Sequence, residues 1–239
     1  MSKTKKLILA LDLSDHGYAL EIVDKFMDYI DIFKVGLELF TSCGPKIVEE
    51  INNKGKKVFL DLKFHDIPNT VSKASVSVTA LGIHMFNVHA SGGFEMMQRC
   101  RGKVVEFCLK ENIQRPIMLG VTVLTSLSRE TLREEFGIQH GLRTHVRHLA
   151  TLALNAGLDG VVASAREAEM IRDCCGKDFL IITPGIRPSW SPPDDQMRTV
   201  TPKDAIRQGA DYLVLGRAVF QQPDPRKAIE LIELEMLTA

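Results

Sequence analysis

Apolar residues in this chain fall in short, predominantly apolar runs, five of them preceded by a more polar, helix-length stretch that ends at a glycine. Gly55 precedes the run 58–62, Gly82 precedes 85–89 and Gly157 precedes 160–163. Gly176 and Gly209 stand in the same way before 179–183 and 212–215. A glycine just past a helix accepts the left-handed backbone that closes the last turn. The runs themselves do not alternate apolar with polar, which is how strands covered on both faces read. Three more runs, 7–13, 32–36 and 117–123, bring the series to eight. Helix-length segments such as 18–29, 72–81, 144–156 and 226–237 lie between them.

Strands that alternate with helices predict a parallel sheet. Eight such units in 239 residues favour a closed (β/α)₈ TIM barrel of the α/β class over an open sheet. An open dinucleotide-binding sheet usually shows G-x-G-x-x-G after its first strand. Here Asp12-Leu13-Ser14-Asp15 stands at that place. No linker, low-complexity tract or shift in composition divides the chain, so residues 1–239 read as one domain. The proline-rich stretch 187–195 reads as a mobile loop rather than a boundary.

Composition narrows the class. Hydrophobic residues make up 45% and charged residues 25%, as in ordinary water-soluble domains. A core of this size needs no disulfides. Thirty Lys+Arg balance thirty Asp+Glu, which gives no reason to expect nucleic acid or an acidic membrane surface as partner. Cys43, Cys100, Cys108, Cys174 and Cys175 are odd in number and form no C-x-x-C pair. They read as small buried apolar residues in a reducing, cytoplasmic setting. Lys3, Lys5 and Lys6 before the run 7–11 resemble the start of a signal peptide, but Asp12 ends the run and no small-residue cleavage site follows. No stretch approaches the roughly 20 apolar residues of a membrane span.

In a barrel of this type the chemistry gathers at the C-terminal ends of the strands. Asp12 ends the first run and Lys34 lies in the second. The third ends Asp61-Leu62-Lys63, followed by Asp66. Side chains alternate along a strand, so Asp61 and Lys63 are expected on one side, at the barrel mouth, with Phe59 below them. Charges gathered there are costly unless paired. An alternating Lys-Asp-Lys-Asp array neutralises itself and keeps its lysines protonated. The bland alternative is that Asp61, Lys63 and Asp66 cap a strand and start a helix. Lys34 and Asp12 at matching heights argue against it, though Asp66 before Pro68 is also ordinary turn chemistry.

A second signal is an anion site. Gly216-Arg217 sits between a strand and a helix start, where free backbone N–H groups and a guanidinium favour phosphate. Loops after strands seven and eight are the usual phosphate position in such barrels. Arg187, on the preceding loop, stands ready to close over it, and Gly185 and Gly216 both suit close approach to a ligand. His89 reads equally as a ligand contact or a strand-end histidine, and Ser91-Gly92-Gly93 as an anion nest or a turn. His140, His145 and His148 lack matched partners in a metal-site pattern and read as helix surface or packing residues.

The run Phe59-Leu60-Asp61-Leu62-Lys63-Phe64-His65-Asp66-Ile67-Pro68-Asn69-Thr70 resembles the signature of the orotidine 5′-phosphate decarboxylase family. D-x-K-x-x-D alone is shared with sugar-phosphate decarboxylases; the continuation to Thr70 makes the likeness specific. Ala10-Leu11-Asp12, Phe33-Lys34-Val35-Gly36 and Asn87-Val88-His89-Ala90 follow in that family's order. So do the segment 121–126, Thr183-Pro184-Gly185-Ile186-Arg187 and Leu215-Gly216-Arg217. The resemblance implies decarboxylation of orotidine 5′-monophosphate to uridine 5′-monophosphate without metal or organic cofactor. It implies that Lys63 donates a proton to pyrimidine C6 and that Asp61 lies beside the departing carboxylate. Lys34 and Asp66 would complete the charge array, with Asp66 and Thr70 reaching in from the second subunit of a homodimer. Asp12 and Lys34 would contact ribose, Ser126 the base edge with Thr125 beside it, and Pro184 the substrate. Arg187, Gln196, Gly216 and Arg217 would hold the phosphate, Gln196 bridging towards the base.

The nearest rival is a barrel decarboxylase or epimerase acting on a phosphorylated sugar, whose enediolate chemistry commonly calls for a metal or a second base. Ser126 and Gln196, which suit a pyrimidine, argue against it. A rival of another class is a nucleotide-binding protein without turnover. Against that stands the cost of burying a Lys/Asp array for binding alone.

Overall fold

A computed structural model describes residues 6–190, 200–220 and 222–238. Eight parallel strands close into a barrel, each paired with its neighbours in sequence and β1 with β8. They are β1 (Leu7–Leu11), β2 (Ile32–Gly36), β3 (Lys57–Phe64), β4 (Met85–His89), β5 (Ile117–Val121), β6 (Gly160–Val162), β7 (Leu180–Thr183) and β8 (Tyr212–Leu215). Helix α1 (His16–Phe26) links β1 to β2, and α2 (Leu37–Cys43) with α3 (Lys46–Asn53) links β2 to β3. Then come α4 (Pro68–Thr79), α5 (Phe94–Glu111), α6 (Arg129–Glu134), α7 (Leu142–Asn155) and α8 (Ala165–Cys175). The series ends with α9 (Pro202–Arg207), α10 (Arg217–Phe220) and α11 (Pro225–Leu237).

The local chemistry explains the boundaries. Asp15, Ser128, Ser164, Thr201 and Asp224 each accept a backbone N–H of the helix they open, satisfying donors that the helix leaves free. The five glycines that precede strands all have positive φ, as expected. The runs 7–13 and 117–123 leave the ladder two residues early. Their ends turn over the barrel rim, where Asp12 and Val123 line a cavity.

Strand alternation divides the apolar residues between two cores. Ile8, Ala10, Ile32, Phe59, Met85, Leu119, Ile182 and Val214 fill the barrel. A larger set packs strands against helices. Of the five cysteines only Cys100 and Cys108 are buried. Cys174 is exposed, contrary to expectation, because it lies off the buried stripe of α8 formed by Ala165, Ala168 and Ile171. Two carboxylates tie the N-terminal face: Asp159 accepts from Met118 N and from Arg115, and Asp211 from Ile181 N and Arg172. Residues 1–5 and 191–195, which enter the expectations of a leader-like start and a mobile loop, lie outside the described residues. No described helix is long and apolar enough to cross a membrane.

Gly160 opens β6 hard against β7. A Cβ there would lie 2.3 Å from the Leu180 carbonyl oxygen. Gly160→Ala should therefore lower stability by about 1–3 kcal/mol, as overpacking typically does. Gly102, exposed within α5, leaves an added methyl free of contacts, so Gly102→Ala should raise stability by about 1 kcal/mol. Urea midpoints at unchanged slope measure both; equal midpoints for the two variants would contradict this packing.

Candidate active site

The inward series of β1–β4 changes character at the C-terminal end. Above Ile32, Phe59 and Met85 stand Lys34, Asp61 and Asn87, one pleat further along each strand. Across the mouth the lining is apolar, with Val121, Val162 and Val214. Between them lies a cavity of about 300 Å³ with Phe59 in its lining. One wall is charged, by Asp12, Lys34, Asp61 and Lys63; the other is aliphatic, rimmed by Leu124, Thr125, Pro184, Gly185 and Gly216.

The charged wall is a connected chain. Lys34 Nζ lies 2.6 Å from Asp12 Oδ1 and 3.3 Å from Asp61 Oδ2. Lys63 Nζ lies 2.8 Å from Asp61 Oδ1. Asp61 and Lys34 are buried, whereas Asp12 reaches solvent. Burial pushes the Lys34 pKa down, yet Asp61 and Asp12 outweigh it and the net shift is upward. Burial likewise pushes Asp61 up, and Lys34 and Lys63 bring it below the usual carboxylate range. Asp12, Lys34, Asp61 and Lys63 thus alternate in sign, without Asp66, and the pairing holds Lys34 and Asp61 charged at neutral pH.

Asp61 and Lys63 reach the same side by a different route from simple alternation. The β3–β4 register is Leu60 opposite Phe86, then Phe64 opposite Val88. The extra β3 residues bulge, and Lys63 takes a left-handed backbone at φ 50. Asn87 fills the gap: its Nδ2 donates to Asp61 Oδ1 at 2.6 Å and its Oδ1 accepts from Lys63 N at 2.8 Å. In the sequence Asn87 stands out only as part of the motif Asn87-Val88-His89-Ala90. Its signal was an amide two residues after inward-facing Met85, in an otherwise apolar strand.

Other expected residues divide. Thr125, Pro184 and Gly216 line the cavity; Ser126 is exposed and does not. Asp66 and Thr70 are exposed and lie outside this chain's cavity, and the Asp66 carboxylate accepts the Ile67 N–H at 2.6 Å. The Arg187 backbone N–H donates to Val200 O, and Ile186 forms a parallel bridge with Val200. Gln196 lies outside the described residues, as does the side chain of Arg217, whose backbone opens α10. His89 stacks obliquely on His65, with ring centroids 5.4 Å apart, and is not in the cavity lining. Burial, His65 and Lys63 lower its pKa. Residues 90–92 form a short 3₁₀ turn. His140 and His145 bond to each other at 3.2 Å, away from the cavity. Among the described residues no three His, Cys, Asp or Glu side chains cluster as a metal site.

Comparison with known proteins gives concordant matches. The profile of the Orotidine 5'-phosphate decarboxylase / HUMPS family matches residues 5–232. A protein of Syntrophotalea carbinolica named orotidine 5'-phosphate decarboxylase is 50% identical over 235 residues, covering 98% of this chain and 96% of its own. One of that name from Moorella thermoacetica is 48% identical over 239 residues, covering 99% and 95%. The crystal structure of orotidine 5'-phosphate decarboxylase from Lactobacillus acidophilus superposes with a TM-score of 0.84 at 35% identity, covering 97% of this chain and 98% of that one.

The shifted groups set a pH window for stability. Asp61 is lowered in the folded state, so its contribution is complete above the usual carboxylate range and is lost as pH falls through the folded value. Lys34 is raised, so its contribution is complete below the usual lysine range and is lost as pH rises through the folded value. The array should therefore contribute evenly from about pH 5 to 9. Asp61→Asn should cost about 3 kcal/mol at pH 7, because it takes from buried Lys34 its one buried counter-charge and leaves it only the solvent-exposed Asp12. That deficit, followed by urea denaturation, should shrink as acid protonates the wild-type carboxylate; a deficit constant down to about pH 2 would refute the assignment.

Proposed function

This chain belongs to the orotidine 5'-phosphate decarboxylase / HUMPS family, and on that footing we propose that it converts orotidine 5′-monophosphate to uridine 5′-monophosphate in pyrimidine biosynthesis. The observation that carries the reading is the Lys63 ammonium, held 2.8 Å from buried Asp61 on the one charged wall of an otherwise aliphatic cavity. A flat pyrimidine ring suits the aliphatic wall, with its reacting edge turned to the charges.

Loss of CO₂ from C6 leaves an electron pair with little delocalisation. A fixed ammonium stabilises that pair and then protonates it, so Lys63 serves both needs. Lysine suits the task as a compact point charge. Asp61 lies beside the departing carboxylate, and Lys34 with Asp12 contacts the ribose. Thr125 and Ser126 meet the base edge, and Pro184 packs on the substrate. Arg187, Gln196, Gly216 and Arg217 take the phosphate, far from the breaking bond. Binding energy released there drives closure and lowers the barrier. No metal or organic cofactor takes part. Residues 1–239 act as one domain, and the five cysteines, all free, suit the cytoplasm. The partner in a homodimer supplies its own copy of Asp66 and Thr70. The exposure of both residues in a single chain supports this.

EDTA-treated protein is expected to bleach the orotidine monophosphate absorbance and release uridine monophosphate and CO₂. Activity lost in EDTA and restored by a divalent ion would instead favour an enediolate reaction on a sugar phosphate. Lys63→Ala should lose more than the roughly 10²–10⁴ in kcat typical of an acid alone, since it removes charge as well as a proton. Uridine monophosphate binding should change far less. A tenfold or smaller fall in kcat would move the acid role elsewhere.

Subunit sharing has its own test. Lys63→Ala and Asp66→Ala homodimers should each be nearly inactive. Refolded together with random pairing, about half of the dimers are mixed, and each mixed dimer holds one intact site. Roughly a quarter of all sites should therefore recover wild-type turnover. Mixed dimers confirmed by mass that stay inactive would show that both residues serve one chain's site.

A further inference from the structure

Asn87 is 1% exposed and is absent from the cavity lining. Its amide nevertheless holds both ends of the segment that carries the lysine. Nδ2 donates to Asp61 Oδ1, the same oxygen that receives Lys63 Nζ, and Oδ1 accepts the Lys63 backbone N–H. Between Leu60 and Phe64, β3 takes four residue steps while β4 takes two, from Phe86 to Val88. The ladder opens there, and the bonds it loses have to be replaced, since buried backbone donors go unpaired only at a cost. Lys63 also needs support because its left-handed backbone is disfavoured for residues with a Cβ. One planar amide answers both requirements, because it is donor and acceptor at once. Leucine would supply neither bond. Aspartate would keep the acceptor and set a second carboxylate against Asp61.

We infer that Asn87 is a positioning residue: by locking the β3 bulge it fixes where the Lys63 ammonium stands and which way the Asp61 carboxylate faces. The inference rests on the decarboxylase reading, in which Lys63 must meet one carbon atom of the substrate. Small displacements are enough to matter, since misplacement by about 1 Å can cost on the order of 10²-fold in rate.

The test compares Asn87→Ala and Asn87→Asp in the wild-type and Lys63→Ala backgrounds, with orotidine monophosphate as substrate and uridine monophosphate as binding probe. Asn87→Ala is expected to lower kcat about 10²-fold, with KM and product affinity shifted by no more than about threefold. In the Lys63→Ala background the same substitution should change the residual rate by no more than about tenfold, because of the two groups it positions only Asp61 remains. Equal losses in both backgrounds, or a loss confined to KM, would make Asn87 structural only and overturn the inference.

Asn87→Asp keeps the shape. Its new carboxyl would face Asp61 and Lys63 on β3, with Lys34 of β2 beyond Asp61 and apolar Leu119 opposite on β5. Protonated, it becomes donor and acceptor like the amide. The ratio of its kcat to wild type should therefore rise as pH falls; a flat ratio counts against the inference. A readout independent of turnover is hydrogen exchange at the Lys63 amide. Exchange should quicken at least about tenfold in Asn87→Ala while the Leu60 and Val88 amides stay protected. Unchanged exchange would overturn the inference even if the wild-type protein proved inactive on this nucleotide, an outcome that would sink the decarboxylase reading alone.

Discussion

The buried carboxylate of Asp61 is the point on which the site is built. Alone, a carboxylate at 8% exposure would take up a proton or unfold its surroundings. Here Lys34 meets one oxygen, and Lys63 and Asn87 meet the other. Each partner is itself tied down: Lys34 to Asp12, and Asn87 to the Lys63 backbone. Removing Asp61 takes a partner from Lys34, Lys63 and Asn87 at once, which makes the arrangement cooperative rather than a sum of pairs.

The barrel makes this arrangement affordable by placing it at one end only. Below the charged layer, Ile32, Phe59 and Met85 pack into a dry interior. Across from it, valines from β5, β6 and β8 line the cavity. The charges therefore face a low-dielectric wall, where their field on a bound ligand is screened less than in water. The opposite face of the barrel carries other ion pairs, Arg115–Asp159 and Arg172–Asp211, whose carboxylates also cap strand N–H groups. Those pairs hold loops to strands, whereas the Asp61 group leaves Lys63 directed into a cavity. The two ends of the barrel thus use their carboxylates differently, one to hold loops and the other to line a cavity.

Much of this was legible along the chain. The five glycines before strands, the predominantly apolar runs and the helix-length spacers point to the barrel, because each records a local requirement: a left-handed turn, two-sided burial, a length. Asp12, Lys34, Asp61 and Lys63 could be placed together because each stands at or near a strand end, and closure brings strand ends to one mouth. Gly216 follows on the same ground, whereas Thr125 and Pro184 rest on the family resemblance. Ser126, one residue from Thr125, stays exposed because the rim is a loop and follows no period. Cys174 was misplaced because a residue in the last turn of a helix can lie off the buried stripe set by the turns before it.

By itself, then, the sequence determined the closed barrel, the strand ends that meet and the signs of the charges brought there, since periodicity and burial are written locally. Tertiary structure alone decided that β3 bulges, that Lys63 turns left-handed, and that Asn87 joins its backbone to the Asp61 carboxylate. It also decided that aliphatic side chains from β5, β6 and β8 face the charged wall. These features depend on the register between strands whose paired residues, such as Lys63 and Asn87, lie 24 positions apart. No local pattern of one strand records how many steps its neighbour takes, so that information exists only once the two strands are side by side.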